Sequence, residues 1–179
     1  MTDEQLVRGA VAGDAAAFDR LVDRHAAACL RFATRMLGSH DDAEEVTQDT
    51  WLRAYRALGR YDPSTAFRTW LFAILINRCR TALASRHRRE RLVRADPLAM
   101  MSAFTASDAD ATAMRIELQR AVDRLTPDLR EAFLLKHVEQ LEYTEMVDVL
   151  GVGLSALKMR VQRACLQLRL ELQEYHDDR

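Results

Sequence analysis

The stretch from residue 41 to residue 94 changes character in three steps, and this order constrains the fold more than any other feature of the chain. It begins with an acidic segment (DDAEEVTQD), continues with an aromatic and apolar middle, and ends in an arginine-dense run (RCRTALASRHRRERLVR). Only Gly59 and Pro63 interrupt it as helix breakers. Because Pro63 restricts Asp62 to extended geometry, RYDPSTA is predicted to be a turn between two long helices.

Charge is segregated along the chain although its total is nearly neutral. The whole sequence has 26 basic and 27 acidic residues. Residues 1–50 hold five Arg against ten Asp and Glu, whereas residues 51–95 hold eleven Arg against two acids. Such segregation predicts one surface for an anion and another for a basic protein partner.

The composition favours an all-α protein. Among 179 residues, 49% are hydrophobic, and there are only six Gly and three Pro, so turns are few and two small helical domains are expected. The longest uncharged apolar run, WLFAILI, is far shorter than the roughly 20 residues of a membrane-spanning helix. The acidic, polar start MTDEQLVRGA is unlike a signal peptide, which predicts a cytoplasmic location without membrane insertion.

Neither the cysteines nor the histidines predict a metal site or a catalytic centre. Cys29, Cys79 and Cys165 are far apart and odd in number, so free, partly buried thiols are expected. His25 and Cys29 lie four residues apart on one helical face, but no second ligand pair at zinc spacing follows. The sequence also has no nucleophile with an orienting base and no Gly-rich phosphate loop, so we predict no cofactor, no catalytic residue and no enzymatic activity.

The helix predicted from about His40 to Leu58 has two contrasting faces. One face is expected to be buried, and it gathers Ala43, Val46, Thr47, Thr50, Ala54 and Leu58. The other is acidic with a leucine in it, and it gathers Asp41, Glu45, Gln48, Asp49 and Leu52. The acidic face fits a solvated surface, which is what most charged faces are, or a docking surface for a basic protein partner.

The next predicted helix, from about Ala66 to Arg94, is apolar in its first half and basic in its second. The basic residues of the second half are Arg78, Arg80, Arg86, His87, Arg88, Arg89, Arg91 and Arg94. Glu90 is the only acidic residue among them, so a phosphate backbone is the expected counterpart of this positive charge. Four aromatic residues upstream could stack on an unpaired base or belong to the core; they are Tyr55, Tyr61, Phe67 and Trp70. For Phe67 we favour the core.

The sequence from Asp96 to Ser107 loses helical periodicity and predicts a flexible interdomain linker. We therefore divide the chain into a first domain (1–95), a linker (96–112) and a second domain (113–179). In the second domain, Thr126-Pro127 predicts a helix start. The segment TEMVDVLGVGLSALKMRVQRACLQLRLEL then reads as a helix, a turn at Gly151 and another helix. This pattern fits a DNA-binding helix-turn-helix, and it also occurs in helical hairpins of other proteins.

Three ordered segments resemble a known family. DDAEEVTQDTWLRAYRALGRYDP, then FRTWLFAILINRCRTALASRHRR, then LTPDLREAFLLKHVEQLEYTEMVDVLGV with LKMRVQRA resemble the small, two-domain bacterial RNA polymerase sigma factors of the extracytoplasmic-function group of the sigma-70 family. The resemblance covers roughly residues 14–94 and 125–172. It implies a region 2-like domain that binds core polymerase and melts the promoter, and a region 4-like domain that reads the minus-thirty-five element.

The resemblance also implies roles for particular residues. The polymerase coiled coil would bind Asp41, Glu45, Gln48, Asp49 and Leu52. The loop that captures a flipped minus-ten base would be Tyr61, Asp62, Pro63, Ser64 and Thr65, and the melted strand or its duplex edge would contact Arg68, Trp70, Asn77, Arg78 and Arg80. The minus-thirty-five element would be read by Ser155, Ala156, Lys158, Met159, Arg160 and Arg163. The family further implies an anti-sigma partner and a monomeric free protein.

The second domain departs from the family pattern G-x-P/S-x-G-T-V-K-S-R. Ala156 and Met159 stand where hydroxyls are usual, and Cys165 stands where arginine is common, so weak or unusual upstream recognition is expected. Met159, Leu166 and Leu170 form an apolar strip opposite the predicted core side of the last helix. We expect this strip to pack against the first domain or a partner helix when the protein is inactive.

These departures keep two other functions open. One is a degenerate sigma-like module that acts mainly by binding another protein. The other is an ordinary helix-turn-helix regulator, which would form stable dimers and bind two-fold symmetric sites, whereas a sigma factor would be monomeric and require polymerase.

Overall fold

The computed structural model describes residues 1–93 and 111–177. Within these ranges the chain forms eight α-helices and no strand, which confirms the all-α prediction. A 3-10 turn (Leu58–Arg60) follows α3 and a π-helical turn (Leu134–Val138) follows α6. The helices are α1 (Asp3–Val11), α2 (Ala15–Leu37), α3 (His40–Ala57), α4 (Phe67–Val93), α5 (Ala111–Arg124), α6 (Pro127–Phe133), α7 (Tyr143–Leu150) and α8 (Leu154–Asp177).

Local capping residues set the helix boundaries of the first half. The Asp14 carboxylate accepts a hydrogen bond from the Ala17 N–H at 3.3 Å and caps α2. Gly38 ends α2 with a left-handed φ of 68°, a conformation that glycine adopts without steric cost. Ser39 then accepts from the Asp42 N–H at 3.3 Å and starts α3.

Helices α1 to α4 share one core around α2 and α4. Phe32 of α2 and Phe72 of α4 are fully buried and pack edge to face with ring centroids 5.4 Å apart. The predicted inner face of α3 is confirmed, since all six of its residues are buried. This core holds α3 and the first half of α4 in a fixed position relative to each other, and so positions the candidate binding residues on both helices.

The cysteines are free thiols, as predicted, but two of them are fully buried rather than partly buried. Burial raises the pKa of Cys29 to about 12 and that of Cys79 to about 12. His25 lies with its Nε2 atom 2.8 Å from Asp3 Oδ2 and its ring against Phe67. These contacts give His25 a structural role at the junction of α1, α2 and α4.

Helices α5 to α8 form the second group, in which α8 packs against α5, α6 and α7. Pro127 occupies the first turn of α6 as predicted, and the Thr126 carbonyl accepts from the Arg130 N–H at 2.9 Å. The helical segment that Pro127 begins continues to Val138 through the π-helical turn. Gly151, with φ 65°, ends α7 before α8 begins, which produces the predicted helix-turn-helix order.

The two helical groups contact each other directly. Helix α4 packs on α7, and α2 touches α5 and α6. A buried arginine, Arg130, donates to the Met36 carbonyl at 2.6 Å in the first group and to carbonyls of residues 122, 123 and 125 in the second. The predicted linker lies largely outside the described residues, and its last two positions belong to α5.

No helix in the described part of the chain is both long enough and apolar enough to cross a membrane.

Candidate nucleic-acid and protein-binding interfaces

The acidic face of α3 is presented to solvent as the sequence predicts. Asp41, Glu45, Gln48 and Leu52 are exposed, and Asp49 is half-buried. Leu52 is 56% exposed, although it lies within a helix whose other face supplies the core. A single exposed leucine is normal on a protein surface, but its position within an acidic face makes Leu52 a candidate contact for a basic protein partner.

Asp49 connects this acidic face to α4. Its carboxylate accepts from Arg53 Nε at 2.9 Å and also pairs with the guanidinium of Arg78. Burial alone would raise the pKa of Asp49, but the hydrogen bond from Arg53 and the charges of Arg78 and Arg53 outweigh it and lower that pKa. Asp49 is therefore held ionised, and Arg78 lies beside the acidic face.

A groove of about 490 Å³ runs between α3 and α4 at this point. Its α3 wall carries three carboxylates and its α4 wall carries three guanidinium groups, so it is polar on both sides. The charged residues lining it are Asp42, Glu45, Asp49, Arg78, Arg86 and Arg89.

The turn between α3 and α4 is an ordered loop beside an aromatic cluster. The Tyr61 hydroxyl donates to the Thr65 carbonyl at 2.5 Å, and Asp62 accepts from the Ser64 N–H at 2.9 Å. The ring of Tyr61 lies 5.3 Å from that of Trp70. Asp62, Pro63 and Ser64 are exposed, so the loop presents polar groups next to a half-buried aromatic surface.

The aromatic residues divide between core and surface. Phe67 is buried, which confirms its assignment to the core, while Tyr61 and Trp70 are half-buried and remain accessible from one side. Tyr55 is exposed on α3 and packs edge to face on Phe18. Of the four predicted stacking platforms, Tyr61 and Trp70 are the pair brought together beside the loop.

The prediction that Glu90 alone neutralises the arginine run is wrong. Arg78 pairs with Asp49, Arg80 pairs with Glu131, and Arg86 donates to the Leu37 carbonyl at 2.8 Å. These partners come from distant parts of the sequence. His87, Arg88 and Arg89 are exposed, as is Asn77; the side chains of Arg91 and Arg94 lie outside the described residues.

Two arginines of α4 reach buried carboxylates of the second helical group. Arg68 donates to Glu139 Oε2 at 2.7 Å and to the Glu139 carbonyl at 2.9 Å. Arg80 forms a bidentate pair with Glu131, at 2.9 and 2.5 Å. Burial raises the pKa of Glu131, although the hydrogen bond and charge of Arg80 oppose this shift. Both arginines belong to the set for which the family resemblance implies contact with the minus-ten element.

The sequence analysis did not predict Glu131 and Glu139 as partners of these arginines. Leu134 and Leu135, which follow Glu131 by three and four residues, are buried, so helical spacing places Glu131 on the same side as these leucines. A carboxylate on the apolar side of a helix was the available signal, because a buried acid requires a partner.

The predicted recognition helix is accessible in its first turns. Ser155, Ala156, Lys158 and Met159 are exposed, and so is Arg163. Arg160 is instead paired, with its Nη2 atom 2.7 Å from Asp128 and its Nη1 atom 3.6 Å from Glu131. The structure thus brings Arg160 to the carboxylate that also holds Arg80.

The apolar strip on α8 is open to solvent. Met159, Leu166 and Leu170 are 48%, 58% and 54% exposed. The expectation that the strip packs against the first helical group is therefore wrong for this arrangement. Packing against a partner remains a prediction.

Comparison with known proteins identifies both helical groups. Residues 21–89 match the family model of Sigma-70 region 2, and residues 115–168 match that of Sigma-70, region 4. The RNA polymerase sigma-H factor of Pseudomonas aeruginosa is 30% identical over 174 residues, which cover 90% of this chain and 89% of that protein. The ECF RNA polymerase sigma factor SigE of Mycolicibacterium smegmatis is 34% identical over 167 residues, which cover 88% of this chain and 63% of that protein.

A solved structure matches nearly the whole chain. It is CnrH in complex with the cytosolic domain of CnrY, with a TM-score of 0.73 and 28% sequence identity, covering 96% of this chain and 97% of CnrH. Both the sequence order of regions 2 and 4 and the helical architecture thus agree with those of sigma factors. The chain belongs to the sigma-70 family of RNA polymerase sigma factors, in its extracytoplasmic-function (ECF) group.

Proposed function

We propose that this sigma factor, which directs promoter-specific transcription initiation, binds core RNA polymerase through the acidic face of α3 and promoter DNA through the α3–α4 turn, α4 and α8. The observation that carries the proposal is the layout of α3 and α4. One hairpin presents an exposed leucine among carboxylates on α3, and an ordered polar loop beside two accessible aromatic rings at the turn. The first surface fits a basic protein, and the second fits an unstacked base.

Each DNA element has its own residues in this proposal. Tyr61, Asp62, Pro63, Ser64 and Thr65 capture a flipped base of the minus-ten element, whose extrusion costs a few kcal/mol that stacking and hydrogen bonds offset. Arg68, Trp70, Asn77, Arg78 and Arg80 contact the melted strand. The upstream element is read by the start of α8, where Lys158, Arg160 and Arg163 supply the cations and Ser155 a hydroxyl.

The chain itself carries out no catalysis in this account, because the polymerase supplies it. The first domain (1–95) performs core binding and melting, and the second (113–179) performs upstream recognition, with the free protein a monomer in the cytoplasm.

An anti-sigma factor is the proposed inhibitory partner. CnrH, which matches over nearly the full length, was solved with the cytosolic domain of a second protein. The apolar strip of Met159, Leu166 and Leu170 on α8 is the surface we assign to such a partner, because exposed apolar side chains gain more from an apolar protein surface than from a phosphate backbone.

Light scattering combined with size-exclusion chromatography tests this function. The free chain is expected to have the mass of one copy, and a mixture with core polymerase is expected to contain a one-to-one complex. A stable free dimer that binds duplex DNA without polymerase would instead support the helix-turn-helix regulator, and the sigma assignment of the surfaces would fail.

Replacing Leu52 with glutamine is expected to weaken core binding by about tenfold, because an exposed apolar anchor at an interface contributes on the order of 1 to 2 kcal/mol. Titration of labelled core polymerase measures the affinity. Leu118→Gln, which changes another exposed leucine on α5, is the matched control and should bind as the unaltered chain does. Equal affinities of the two variants for core polymerase would show that the acidic face of α3 is not part of the polymerase interface.

The double variant Leu166→Gln/Leu170→Gln is expected to lose at least tenfold in affinity for the inhibitor, because two apolar anchors are lost. The inhibitor is first isolated by pull-down and mass spectrometry, and affinity is then measured by calorimetry. Val11→Gln, at an exposed position of α1, controls for the loss of surface apolar area. An unchanged affinity would show that the strip is not the binding surface.

A further inference from the structure

A thiol and an imidazole lie side by side in the second helical group. Cys165 of α8 is half-buried, and its Sγ atom lies 3.4 Å from Nε2 of His137, an exposed residue of the π-helical turn. The two residues are 28 positions apart, so helical spacing gave no sign of this pair. None of the proposed binding surfaces uses either residue.

Cys165 differs from the other two cysteines in its exposure. Cys29 and Cys79 are fully buried in the first helical group, and burial raises the pKa of each thiol to about 12. Reagents in solvent do not reach such thiols, and very little of either thiol is ionised at neutral pH. Cys165 is the cysteine that combines access to solvent with a neighbouring base.

The geometry of this pair is that of an activated nucleophile. A thiol reacts as its thiolate, and a base within hydrogen-bonding reach removes the proton. In the tautomer with the ring proton on Nδ1, Nε2 of His137 accepts from the Cys165 thiol. The imidazole also packs on the ring of Phe133, with centroids 5.0 Å apart, and this contact holds it beside α8.

We propose that Cys165 and His137 form a thiol-modification site for low-molecular-weight disulfides, and that the mixed disulfide formed there weakens upstream DNA binding by α8. The site itself goes beyond the proposed function. Its effect on DNA rests on the proposed assignment of Lys158 and its neighbours to the upstream element.

The reaction at this site is a thiol–disulfide exchange. The Cys165 thiol gives its proton to Nε2 of His137, and its sulfur attacks one sulfur of the reagent R–S–S–R. A new S–S bond forms as the old one breaks, and the departing thiolate takes the proton and leaves as R–SH. Cys165 is thereby oxidised and one half of the reagent is reduced, and an excess of a thiol reductant reverses the exchange.

The position of Cys165 on α8 connects the adduct with DNA. Cys165 follows the exposed Lys158 by seven residues, a spacing of two helical turns that places both on the same side of α8, about 10 Å apart along the axis. A glutathione adduct carries net negative charge at neutral pH. Beside Lys158, this charge repels the phosphate backbone that the lysine is proposed to contact.

Mass spectrometry of the full-length chain after timed incubation with oxidised glutathione measures the exchange. The adduct is expected on Cys165 alone, and Cys165→Ser is expected to take none. His137→Gln should slow the exchange by at least about tenfold, because it removes the base but retains a polar side chain of similar size. His40→Gln is the matched control: His40 is also exposed, pairs only with Glu44 of its own helix at 3.3 Å, and should leave the rate within twofold.

Anisotropy of a fluorescein-labelled, mixed-sequence DNA duplex at low salt then compares the reduced chain with the modified one. Modification is expected to weaken binding about fivefold, the order expected when a like charge opposes one lysine–phosphate contact. A thiol reductant should restore the affinity. Cys165→Ser, treated with oxidised glutathione in the same way, should show no loss.

Equal exchange rates for His137→Gln and the unaltered chain, or adducts spread over all three cysteines, would overturn the modification site. Full modification without loss of duplex affinity, or no duplex binding by the reduced chain, would overturn its effect on α8. The exchange requires neither polymerase nor a promoter, so failure of this site is distinguishable from failure of the sigma function, which transcription tests.

Discussion

Arg130→Ala is expected to destabilise the protein by about 3 to 5 kcal/mol, because several buried carbonyls lose a charged donor and hydrogen bonds to charged groups are worth about 1.5 to 3 kcal/mol each. Arg130 is 6% exposed and donates to four backbone carbonyls. Its replacement leaves those carbonyls without their donor, and each unsatisfied buried group costs about 1 to 3 kcal/mol before relaxation. The contact with the Met36 carbonyl also couples α6 to the end of α2, so both helical groups should be affected.

Urea unfolding followed by circular dichroism measures the loss. Arg124→Ala removes another arginine of the same helical group, but this one is largely exposed and pairs with Glu171 at 3.2 Å. Because exposed ion pairs contribute little, the control should lose less than about 1 kcal/mol. Similar free energies of unfolding for the two variants would show that the Arg130 network does not hold the domains together.

Trp70→Ala is expected to reduce promoter opening by about 10- to 100-fold while leaving core binding within twofold. Stacking of a base on an aromatic ring is worth about 1 to 3 kcal/mol, and a factor of ten corresponds to about 1.4 kcal/mol. Trp70 is half-buried beside Tyr61 and the exposed loop, and all the polymerase-binding residues that we assign lie on α3 rather than on α4. Its loss should therefore affect the captured base rather than docking.

Fluorescence of 2-aminopurine in the minus-ten element of a promoter measures opening. Trp70→Phe retains an aromatic face and should restore most of the opening rate, whereas a purely structural role for the indole would leave both variants equally impaired. Thermal unfolding of each variant checks that the domain remains folded. Opening by Trp70→Ala at the rate of the unaltered chain would remove Trp70 from the DNA-binding surface.

Short-range signals were sufficient to predict most of the helices. Asp14, Gly38, Ser39 and Pro127 act through caps and backbone geometry that involve neighbours within a few residues. Their effect on helix boundaries can therefore be recognised from the local sequence. The two faces of α3 were also predictable, because helical periodicity assigns each position to a side. The exposed state of Leu52 follows from that assignment.

Long-range pairing could not be predicted in the same way. Arg80 and Glu131 are 51 positions apart, and Arg68 and Glu139 are 71 apart. Helical periodicity relates only residues that are close in sequence, so it could not show that the arginines of α4 pair with these carboxylates. The π-helical turn at Leu134–Val138 was missed for a related reason, since an apolar run such as LLKHV gives no sign of a changed hydrogen-bond pattern.

Run-off transcription with purified core polymerase and this chain on sheared genomic DNA, followed by sequencing of the RNA starts, tests the central claim most directly. A sigma factor is expected to produce discrete starts that share an upstream sequence motif, and none without the chain. Tight core binding without any such starts would contradict promoter-directed initiation and would identify the chain as a degenerate sigma-like interaction module.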